Sequence, residues 1–258
     1  MNDLLDFTGK VVLVTGGGKG VGRGISLCYL AAGATVVICS RSAPEEMPAH
    51  GDNIAEFTTC NVKDSGQIED CVRFVTDRFG RLDVLVNNVG GTPFKDAATA
   101  SARYSESVIG LNLISPMHFS NAVNTVMQGQ DTGGCIVNIS SVSAIRPSPG
   151  TAAYGAAKAA LLKLGESQAL AWAPKVRVNS IVVGLVRTEQ AHLHYGDEAG
   201  IAAVAATIPM GRMASPEDIG NTCLYFSSPL SGSVSGTSLT VHGGGEKPNF
   251  LDAANSGN

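Results

Sequence analysis

Charged side chains are scarce in this sequence, where Asp, Glu, Lys and Arg together make up 16% of 258 residues. Apolar residues reach 44%, a balance that excludes an intrinsically disordered chain and favours a large buried core. The formal net charge of -4 gives the protein no basic field with which to gather nucleic acid. The composition therefore indicates a globular protein whose partner is a small molecule.

Long apolar runs are also missing, because no stretch approaches the roughly 20 residues that span a bilayer. The first ten residues carry acidic groups, whereas a secretory leader would be basic there. We therefore expect a soluble, unexported, cytoplasmic protein with no membrane partner. No internal repeat, low-complexity tract or long linker divides the sequence, so residues 1–258 are expected to form one domain.

Metal-binding motifs are lacking as well. The cysteines stand singly among apolar neighbours without CxxC spacing, at Cys28, Cys39, Cys60, Cys71, Cys135 and Cys223. Such cysteines are typical of buried thiols in a reducing compartment. His192 and His194 are two residues apart and cannot share a helix face. The sequence therefore predicts no metal site.

Short apolar, β-branched segments alternate with helical patterns along the chain. The segments are Val11 to Thr15, Thr35 to Cys39, Val84 to Val86, Cys135 to Ile139, Val176 to Val182 and Ser238 to Val241. Buried strands separated by helices predict parallel pairing with both faces of the sheet covered. The expected class is α/β, a single-domain, Rossmann-like, doubly wound parallel sheet with helices on both faces.

Two late segments depart from this alternation. Residues 187–212 interrupt it near the carboxyl ends of the strands, where such folds bind ligands, so we expect a substrate lid there. Residues 246–258 are polar and form a tail that either frays or docks on another subunit.

A glycine-rich segment, TGGGKGVG, runs from Thr15 to Gly22 between the first strand and the helical run Ile25 to Ala32. Glycines in such a turn let backbone N–H groups approach a pyrophosphate, and the helix N-terminus favours the negative charge. The GxGxxG spacing of the general dinucleotide fingerprint is not met. An ordinary flexible turn is therefore the alternative.

Tyr154 and Lys158 lie one turn apart on a helix that the sequence predicts from Thr151 to Ala173. Free tyrosine has a pKa of about 10, and a nearby ammonium group lowers it toward the range needed for proton exchange. Ser141 follows the predicted strand Cys135 to Ile139, where its hydroxyl can hold a substrate oxygen. Its local rivals are Ser140 and Ser143.

Together these segments resemble the short-chain dehydrogenase/reductase family over nearly the whole chain. The matching positions are Thr15, Gly16, Gly20 and Gly22 of its glycine motif, Asn87-Asn88-Val89-Gly90, Asn112, Ser141, Tyr154-x-x-x-Lys158, Ile208 to Ile219, and Gly236 to Gly244. The interval of 13 residues between Ser141 and Tyr154 is similar to the family's serine-to-tyrosine separation. Val89, Asn61, Val183 and His242 depart from the common pattern, and the Val183 change leaves the path of the following loop open.

The resemblance implies Tyr154 as catalytic acid and base, Ser141 as the group that orients the substrate oxygen, and Lys158 as the cation that tunes Tyr154 and holds the nicotinamide ribose. It implies that Asn112 maintains a water-linked proton path to Lys158. A helix-bending role is the alternative for Asn112. The expected cofactor contacts are Thr15, Gly16, Gly18, Lys19, Gly20, Val21, Gly22, Ser40, Arg41, Asn61, Val62, Asn88, Val89, Gly90, Tyr154, Lys158, Gly184, Val186 and Thr188.

The second predicted strand ends in Ser40-Arg41-Ser42, and no carboxylate follows before Glu45. A site selective for NAD places an Asp or Glu there to bind the ribose 2′-hydroxyl. Arg41 and Lys19 instead offer two cations to a 2′-phosphate. The sequence therefore favours NADPH over NADH.

The expected activity is that of an NADPH-dependent oxidoreductase that interconverts a ketone and a secondary alcohol, similar to the 3-oxoacyl-carrier-protein reductase and carbonyl reductase branch. The alternatives are an NAD-dependent alcohol dehydrogenase that oxidises a sugar, steroid or dihydrodiol, and a non-catalytic dinucleotide-binding protein. Arg146 and Arg187 flank the expected site and can meet an acidic substrate or remain solvated. The apolar segment Leu161 to Trp172 and the resemblance both favour a symmetric homotetramer.

Overall fold

A seven-stranded parallel sheet forms the centre of the computed structural model, which describes residues 4–248 and 250. Its strand order is β5-β2-β1-β6-β7-β8-β9. The strands are β1 (Val11–Thr15), β2 (Thr35–Ser40), β5 (Glu56–Thr59), β6 (Val84–Asn87), β7 (Gly134–Ser141), β8 (Val176–Val183) and β9 (Ser238–Val241). A separate two-residue hairpin pairs β3 (Ala49–His50) with β4 (Asn53–Ile54).

Helices connect the strands and pack on both faces of the sheet. They are α1 (Gly20–Ala31), α2 (Ser65–Phe79), α3 (Ala102–Ile109), α4 (Ser115–Gly129), α5 (Ala152–Trp172), α6 (His192–Tyr195), α7 (Glu198–Ala206) and α8 (Pro216–Ser227). A π-helical turn, Gly110–Ile114, joins α3 to α4, and 3₁₀ turns occupy Val142–Ala144 and Pro229–Ser231. The predicted Rossmann-like, single-domain α/β class is confirmed.

The alternation of side chains along β1 explains why two cores form. Val12 and Val14 point to one face and pack with residues of α1 and α8, whereas Leu13 points to the other and packs with residues of α2 and α4. Successive side chains of a strand lie on opposite faces, so a continuous apolar strand requires cover on both. All three side chains are fully buried.

The six predicted strands are present, with small extensions at their ends. β2 reaches Ser40, β6 reaches Asn87 and β8 reaches Val183, while β7 runs from Gly134 to Ser141. The lengthening of β7 places Ser141 at the last position of the strand. The edge strand β5 and the β3–β4 hairpin were missed, because their residues are exposed or only partly buried and carry no continuous apolar run.

The cysteines are free thiols, and five of the six are buried. Three of them, which stand singly in the sequence, meet in the folded chain. Cys39, Cys60 and Cys71 place their sulfur atoms within 4.8 Å of one another, because β2, the residue that follows β5 and α2 pack together in the core on one face of the sheet.

The segment 187–212 forms α6 and α7 beside the sheet and has a small core of its own, in which Ile201 and Ile208 are buried with Ala191 and Met213. Most of the predicted tail, 246–258, lies outside the described residues. Within residues 4–248 and 250, no helix is long and apolar enough to cross a membrane.

Candidate active site

The glycine-rich turn joins the end of β1 directly to the start of α1. Gly16 and Gly20 have positive φ angles of 67° and 54°, which favour glycine because it lacks a Cβ atom. Gly22 is required for another reason, since a Cβ there would lie 2.3 Å from the Gly16 carbonyl oxygen. The turn is therefore closed tightly against the first turn of α1, leaving backbone groups accessible at the helix N-terminus.

Thr15 and Asn88 lock this turn to the end of β6. The Thr15 hydroxyl accepts hydrogen bonds from the backbone N–H groups of Asn88 and Val89 at 2.9 and 3.0 Å, and it donates to the Val86 carbonyl at 3.3 Å. The Asn88 side chain donates to the Thr15 carbonyl at 2.9 Å. These two residues hold the shape of the site.

A cleft of about 640 Å³ opens beside the glycine turn, at the carboxyl ends of β1 and β2. Among the predicted cofactor contacts, those that line it are Gly16, Gly18, Lys19, Ser40, Arg41, Asn61, Val62, Val89 and Gly90. Lining residues that sequence reasoning missed are Ser42, Ala43, Pro44, Cys60, Lys63 and Leu111. Lys63 directly follows the predicted contacts Asn61 and Val62, and this position could have identified it as a further lining residue.

The cleft is electropositive. Lys19, Arg41 and Lys63 line it, and among residues 4–248 and 250 no Asp or Glu belongs to its lining. The Lys63 ammonium donates to the Ser107 hydroxyl at 2.7 Å, and the Ser40 hydroxyl donates to the Ser42 carbonyl at 2.6 Å. This distribution suits an anionic ligand.

The end of β7 and the first turn of α5 bring Ser141 and Tyr154 together. A hydrogen bond from Ser141 opposes the effect of burial, which raises the pKa of the Tyr154 phenol. Of the rival serines, Ser140 is buried and donates to the Lys158 carbonyl at 3.1 Å. The Ser143 hydroxyl accepts from Ser148 at 3.0 Å. Ser141 is therefore the serine beside the tyrosine.

Lys158 is buried between α5 and β7, with only 3% of its surface exposed. Its ammonium group donates to the Ile139 carbonyl at 2.7 Å and lies 5.7 Å from the centre of the Tyr154 ring. Burial lowers the pKa of Lys158 to about 8. Burial has the larger effect on the pKa of the Tyr154 phenol, which is raised overall. The tuning of Tyr154 by Lys158 stays a prediction.

Asn112 lies fully buried in the π-helical turn Gly110–Ile114. Its side-chain amide donates to the carbonyls of Val108 and Gly91, both at 2.9 Å, and its oxygen accepts from the Gly91 N–H at 2.9 Å. A Cβ on Gly90 would lie 2.7 Å from this oxygen and 3.0 Å from the Lys158 nitrogen. The Asn112 side-chain oxygen and the Lys158 ammonium group thus both lie close to the same side of Gly90.

Several predicted contacts lie away from the cleft. Gly184 lines a neighbouring cavity of about 340 Å³ with Leu185 and His242, and Val186 pairs with Ala214 in the approach to the lid. Thr15, Gly20, Val21, Gly22, Asn88, Tyr154, Lys158 and Thr188 do not line the 640 Å³ cleft.

Residues of the segment 187–212 nevertheless reach the glycine turn. The Gly20 N–H donates to the Glu189 carboxylate at 2.8 Å, so an acidic side chain of this segment lies at the N-terminus of α1. The neighbouring residue, Thr188, accepts from the Gln190 N–H at 3.3 Å.

Comparison with known proteins places these features in one family. A family model described as enoyl-(acyl carrier protein) reductase matches residues 16–246, which is most of the chain. The chain belongs to the short-chain dehydrogenase/reductase family. It is therefore an oxidoreductase of a family that binds nicotinamide dinucleotides.

Relatives within the short-chain dehydrogenase/reductase family differ in substrate. Galactitol 2-dehydrogenase of Agrobacterium fabrum is 32% identical over 252 residues, covering 91% of this chain and 96% of the relative. The 3-oxoacyl-acyl-carrier-protein reductase of Chlamydia pneumoniae is 32% identical over 247 residues, covering 93% and 98%. The ligand-free aldohexose dehydrogenase of Thermoplasma acidophilum superposes with a TM-score of 0.86 at 27% identity, covering 98% of both chains.

The site fits the dinucleotide that short-chain dehydrogenases/reductases bind. Ligand pockets usually measure about 300 to 1,000 Å³, and the 640 Å³ of the cleft lies within that range. Gly18 and Gly90 line it without side chains, and the helix N-terminus favours a pyrophosphate.

Two flanking arginines that were candidates for binding an acidic substrate are paired within the protein. Arg146 forms an ion pair with Glu246, and Arg187 pairs with Glu198 at 2.8 Å. A substrate carboxylate would have to displace a glutamate from either guanidinium. The pairing therefore argues against an acidic substrate at these positions.

Proposed function

We propose that this protein is an NADPH-dependent oxidoreductase that interconverts a ketone and a secondary alcohol, with Tyr154 as the general acid and base. The observation that carries the proposal is the placement of Ser141 beside Tyr154, with the Lys158 ammonium 5.7 Å from the tyrosine ring. A complete set of acid, hydrogen-bond donor and buried cation argues against a non-catalytic dinucleotide-binding protein.

A bound nicotinamide ring would supply or accept the hydride. During reduction, Tyr154 gives its phenolic proton to the substrate oxygen, and the Ser141 hydroxyl holds that oxygen in place. The resulting phenolate gains stabilisation from the Lys158 ammonium, which Ile139 orients through its carbonyl. Asn112 fixes the Gly91 backbone next to Lys158 through two hydrogen bonds.

The first test is Tyr154→Phe, which removes the proton donor and keeps the ring. We expect turnover to fall by about 10² to 10⁴, with the dissociation constant for the cofactor nearly unchanged, because the hydroxyl acts on the substrate oxygen. Steady-state rates and equilibrium cofactor titration measure the two quantities. A variant that keeps more than a few per cent of the parent rate would exclude Tyr154 as the acid. Lys158→Ala, in contrast, should impair both turnover and cofactor binding.

The preference for NADPH follows from the charges of the cleft. Arg41 and Lys19 offer charge-assisted hydrogen bonds to a 2′-phosphate, and no carboxylate in the lining competes for a 2′-hydroxyl. Each such bond contributes roughly 1.5 to 3 kcal/mol before solvent screening. Two of them favour NADPH over NADH by about two orders of magnitude.

Cofactor titration of the parent and of a Ser40→Asp, Arg41→Ala variant tests this preference. The parent should bind NADPH about a hundredfold more tightly than NADH, and the variant should shift toward NADH because a carboxylate replaces the phosphate-binding cation. Equal affinities in the parent, or an unshifted variant, would remove the assignment of NADPH and leave the proposed proton transfer intact.

Oxidation of a sugar alcohol is the second candidate. The relative named galactitol 2-dehydrogenase and the aldohexose dehydrogenase structure favour it. The pairing of Arg146 and Arg187 with glutamates also favours it, because neither of these two arginines is then free for an acidic group. A panel of ketones and polyols, followed by nicotinamide absorbance with each cofactor, separates the two. If a polyol with NAD is the only combination of substrate and cofactor that gives turnover, the second candidate replaces the first proposal.

We also propose that residues 187–212 act as the substrate lid. Their two helices adjoin the carboxyl ends of the strands, and Glu189 connects them to the glycine turn. In an open parallel sheet, ligands bind at this edge.

A further inference from the structure

Three cysteines of the described chain converge below the dinucleotide cleft, outside the proposed catalytic machinery. Cys39 is in β2, Cys60 follows β5 and Cys71 is in α2, and at most 1% of each residue is exposed. Their sulfur atoms all lie within 4.8 Å of one another. Buried cysteines usually pack singly as small apolar groups, so a mutual approach of three sulfurs requires a separate explanation.

We propose that Cys39, Cys60 and Cys71 form a binding site for a thiophilic metal ion, copper(I), at the wall of the dinucleotide cleft. Sulfur ligands that surround a metal at roughly 2.3 Å in a trigonal plane are about 4.0 Å apart. The observed limit of 4.8 Å therefore leaves each sulfur less than about 1 Å to move, which small side-chain rotations supply.

The donor set selects the metal. Soft thiolate ligands favour copper(I) and zinc over harder cations. Structural zinc requires four ligands, whereas within residues 4–248 and 250 no histidine, aspartate, glutamate or fourth cysteine completes this group. A three-sulfur site thus favours copper(I). On binding, each cysteine that coordinates as a thiolate releases its proton to water, and no residue is oxidised or reduced.

Cys60 provides the route of entry. It belongs to the wall of the 640 Å³ cleft next to Asn61 and Val62, but none of its surface is exposed, so an ion in the cleft must displace part of this wall to reach the sulfur. The Cys60 thiol donates to the Gln67 carbonyl at 3.5 Å, and its backbone N–H donates to the Ser40 carbonyl at 2.9 Å. This backbone hydrogen bond therefore holds Cys60 against Ser40, the last residue of β2.

The positions of the ligands couple this site to the cofactor. Cys39 immediately precedes Ser40 and Arg41, and Cys60 immediately precedes Asn61 and Val62, all of which line the cleft. Contraction of the three sulfurs around an ion would shift both segments. Copper(I) should accordingly weaken NADPH binding by about tenfold, a typical coupling between two sites. This second effect rests on the proposed function, whereas metal binding does not.

The test is a titration of the fully reduced, cofactor-free chain with copper(I) in the absence of oxygen, in competition with the chromogenic chelator bicinchoninate. The parent should withdraw one equivalent of copper(I) and develop thiolate-to-copper absorbance in the ultraviolet. Cys60→Ala should lose this equivalent, and the matched control Cys135→Ala, which removes a buried thiol outside the group, should keep it.

A second variant, Cys71→Ala, covers the case in which Cys60→Ala does not fold, as judged by circular dichroism. A parent that withdraws no copper(I), or a folded Cys60→Ala or Cys71→Ala variant that withdraws it as the parent does, would overturn the proposed site. If copper(I) binds to the parent but NADPH affinity stays unchanged, the site stands and its coupling to the cofactor is refuted.

Discussion

Burial of the charged Lys158 side chain lowers the stability of the fold. The fall of its pKa from 10.5 to about 8 corresponds to about 3 kcal/mol of lost stability when the group is charged. Its ammonium group donates to the neutral Ile139 carbonyl, which offsets only part of the lost hydration. The proposed reaction explains why the fold retains this charge beside Tyr154.

This cost predicts a pH dependence of stability. Because the folded pKa is below the unfolded one, the unfolded chain binds more protons between pH 8 and 10.5. The contribution of Lys158 is therefore most unfavourable below pH 8, and it becomes less so as the pH rises through that window. Urea unfolding of the parent and of Lys158→Met should show a difference in unfolding free energy that changes by about 3 kcal/mol from pH 7 to 10.5.

The free energy of unfolding of the parent should increase relative to that of Lys158→Met as the pH rises. The variant also leaves the Ile139 carbonyl without its donor, at a cost of about 1 to 3 kcal/mol that does not vary with pH. Parallel stability curves across the window would mean that Lys158 is hydrated in solution.

At the scale of elements, the glycine turn and the first turn of α1 form one unit. Gly22 has an ordinary φ angle, yet a Cβ there would lie 2.3 Å from the Gly16 carbonyl oxygen and 2.6 Å from the Asn88 side chain. The Asn88 side chain and the Gly16 carbonyl are both held in place, because Asn88 donates a hydrogen bond to the carbonyl of Thr15, the residue before Gly16. The requirement for glycine is steric at this position.

Gly22→Ala should therefore destabilise the fold by about 1 to 3 kcal/mol and weaken cofactor binding. Gly129→Ala in α4 is the matched control, because a Cβ there meets no atom within 4 Å, and it should be neutral or stabilising by up to about 1 kcal/mol. Thermal unfolding and cofactor titration give the comparison. Equal behaviour of the two variants would show that the turn adjusts to a side chain.

Elements that show a regular pattern of apolar residues could be predicted from the sequence. Features that depend on contacts between residues far apart in the sequence could not. The continuous apolar run of β1 and the helix pattern around Tyr154 are visible in the order of residues. The π-helical turn at Asn112 depends on hydrogen bonds to Gly91, which is 21 residues away. Convergence of Cys39, Cys60 and Cys71 likewise depends on the packing of three elements, which spacing alone does not reveal.

At the scale of the whole molecule, α5 presents apolar surface to solvent. Leu170 is 86% exposed, and Ala156 and Ala159 are exposed on the same helix. Leu239 in β9 is 41% exposed. Exposed apolar surface of this kind marks protein interfaces, which supports the expected symmetric homotetramer.

Leu170→Asp should shift the tetramer toward smaller species, because a carboxylate would be buried without a partner at the interface. Ile54→Asp is the control, since Ile54 is 58% exposed but lies in the β3–β4 hairpin. Sedimentation velocity at micromolar concentration measures both. A monomeric parent would contradict the expected assembly, and a Leu170→Asp tetramer would place the interface elsewhere.

The bond between the Gly20 N–H and Glu189 has a consequence for the sequence of events in turnover. A pyrophosphate at the N-terminus of α1 needs the amide that this carboxylate occupies, and two anions cannot share it. Arrival of the dinucleotide should therefore free Glu189, and with it the segment 187–212 that we propose as the substrate lid. We expect compulsory-order kinetics, in which the nucleotide enters first and departs last, with return of the carboxylate to the helix assisting its departure.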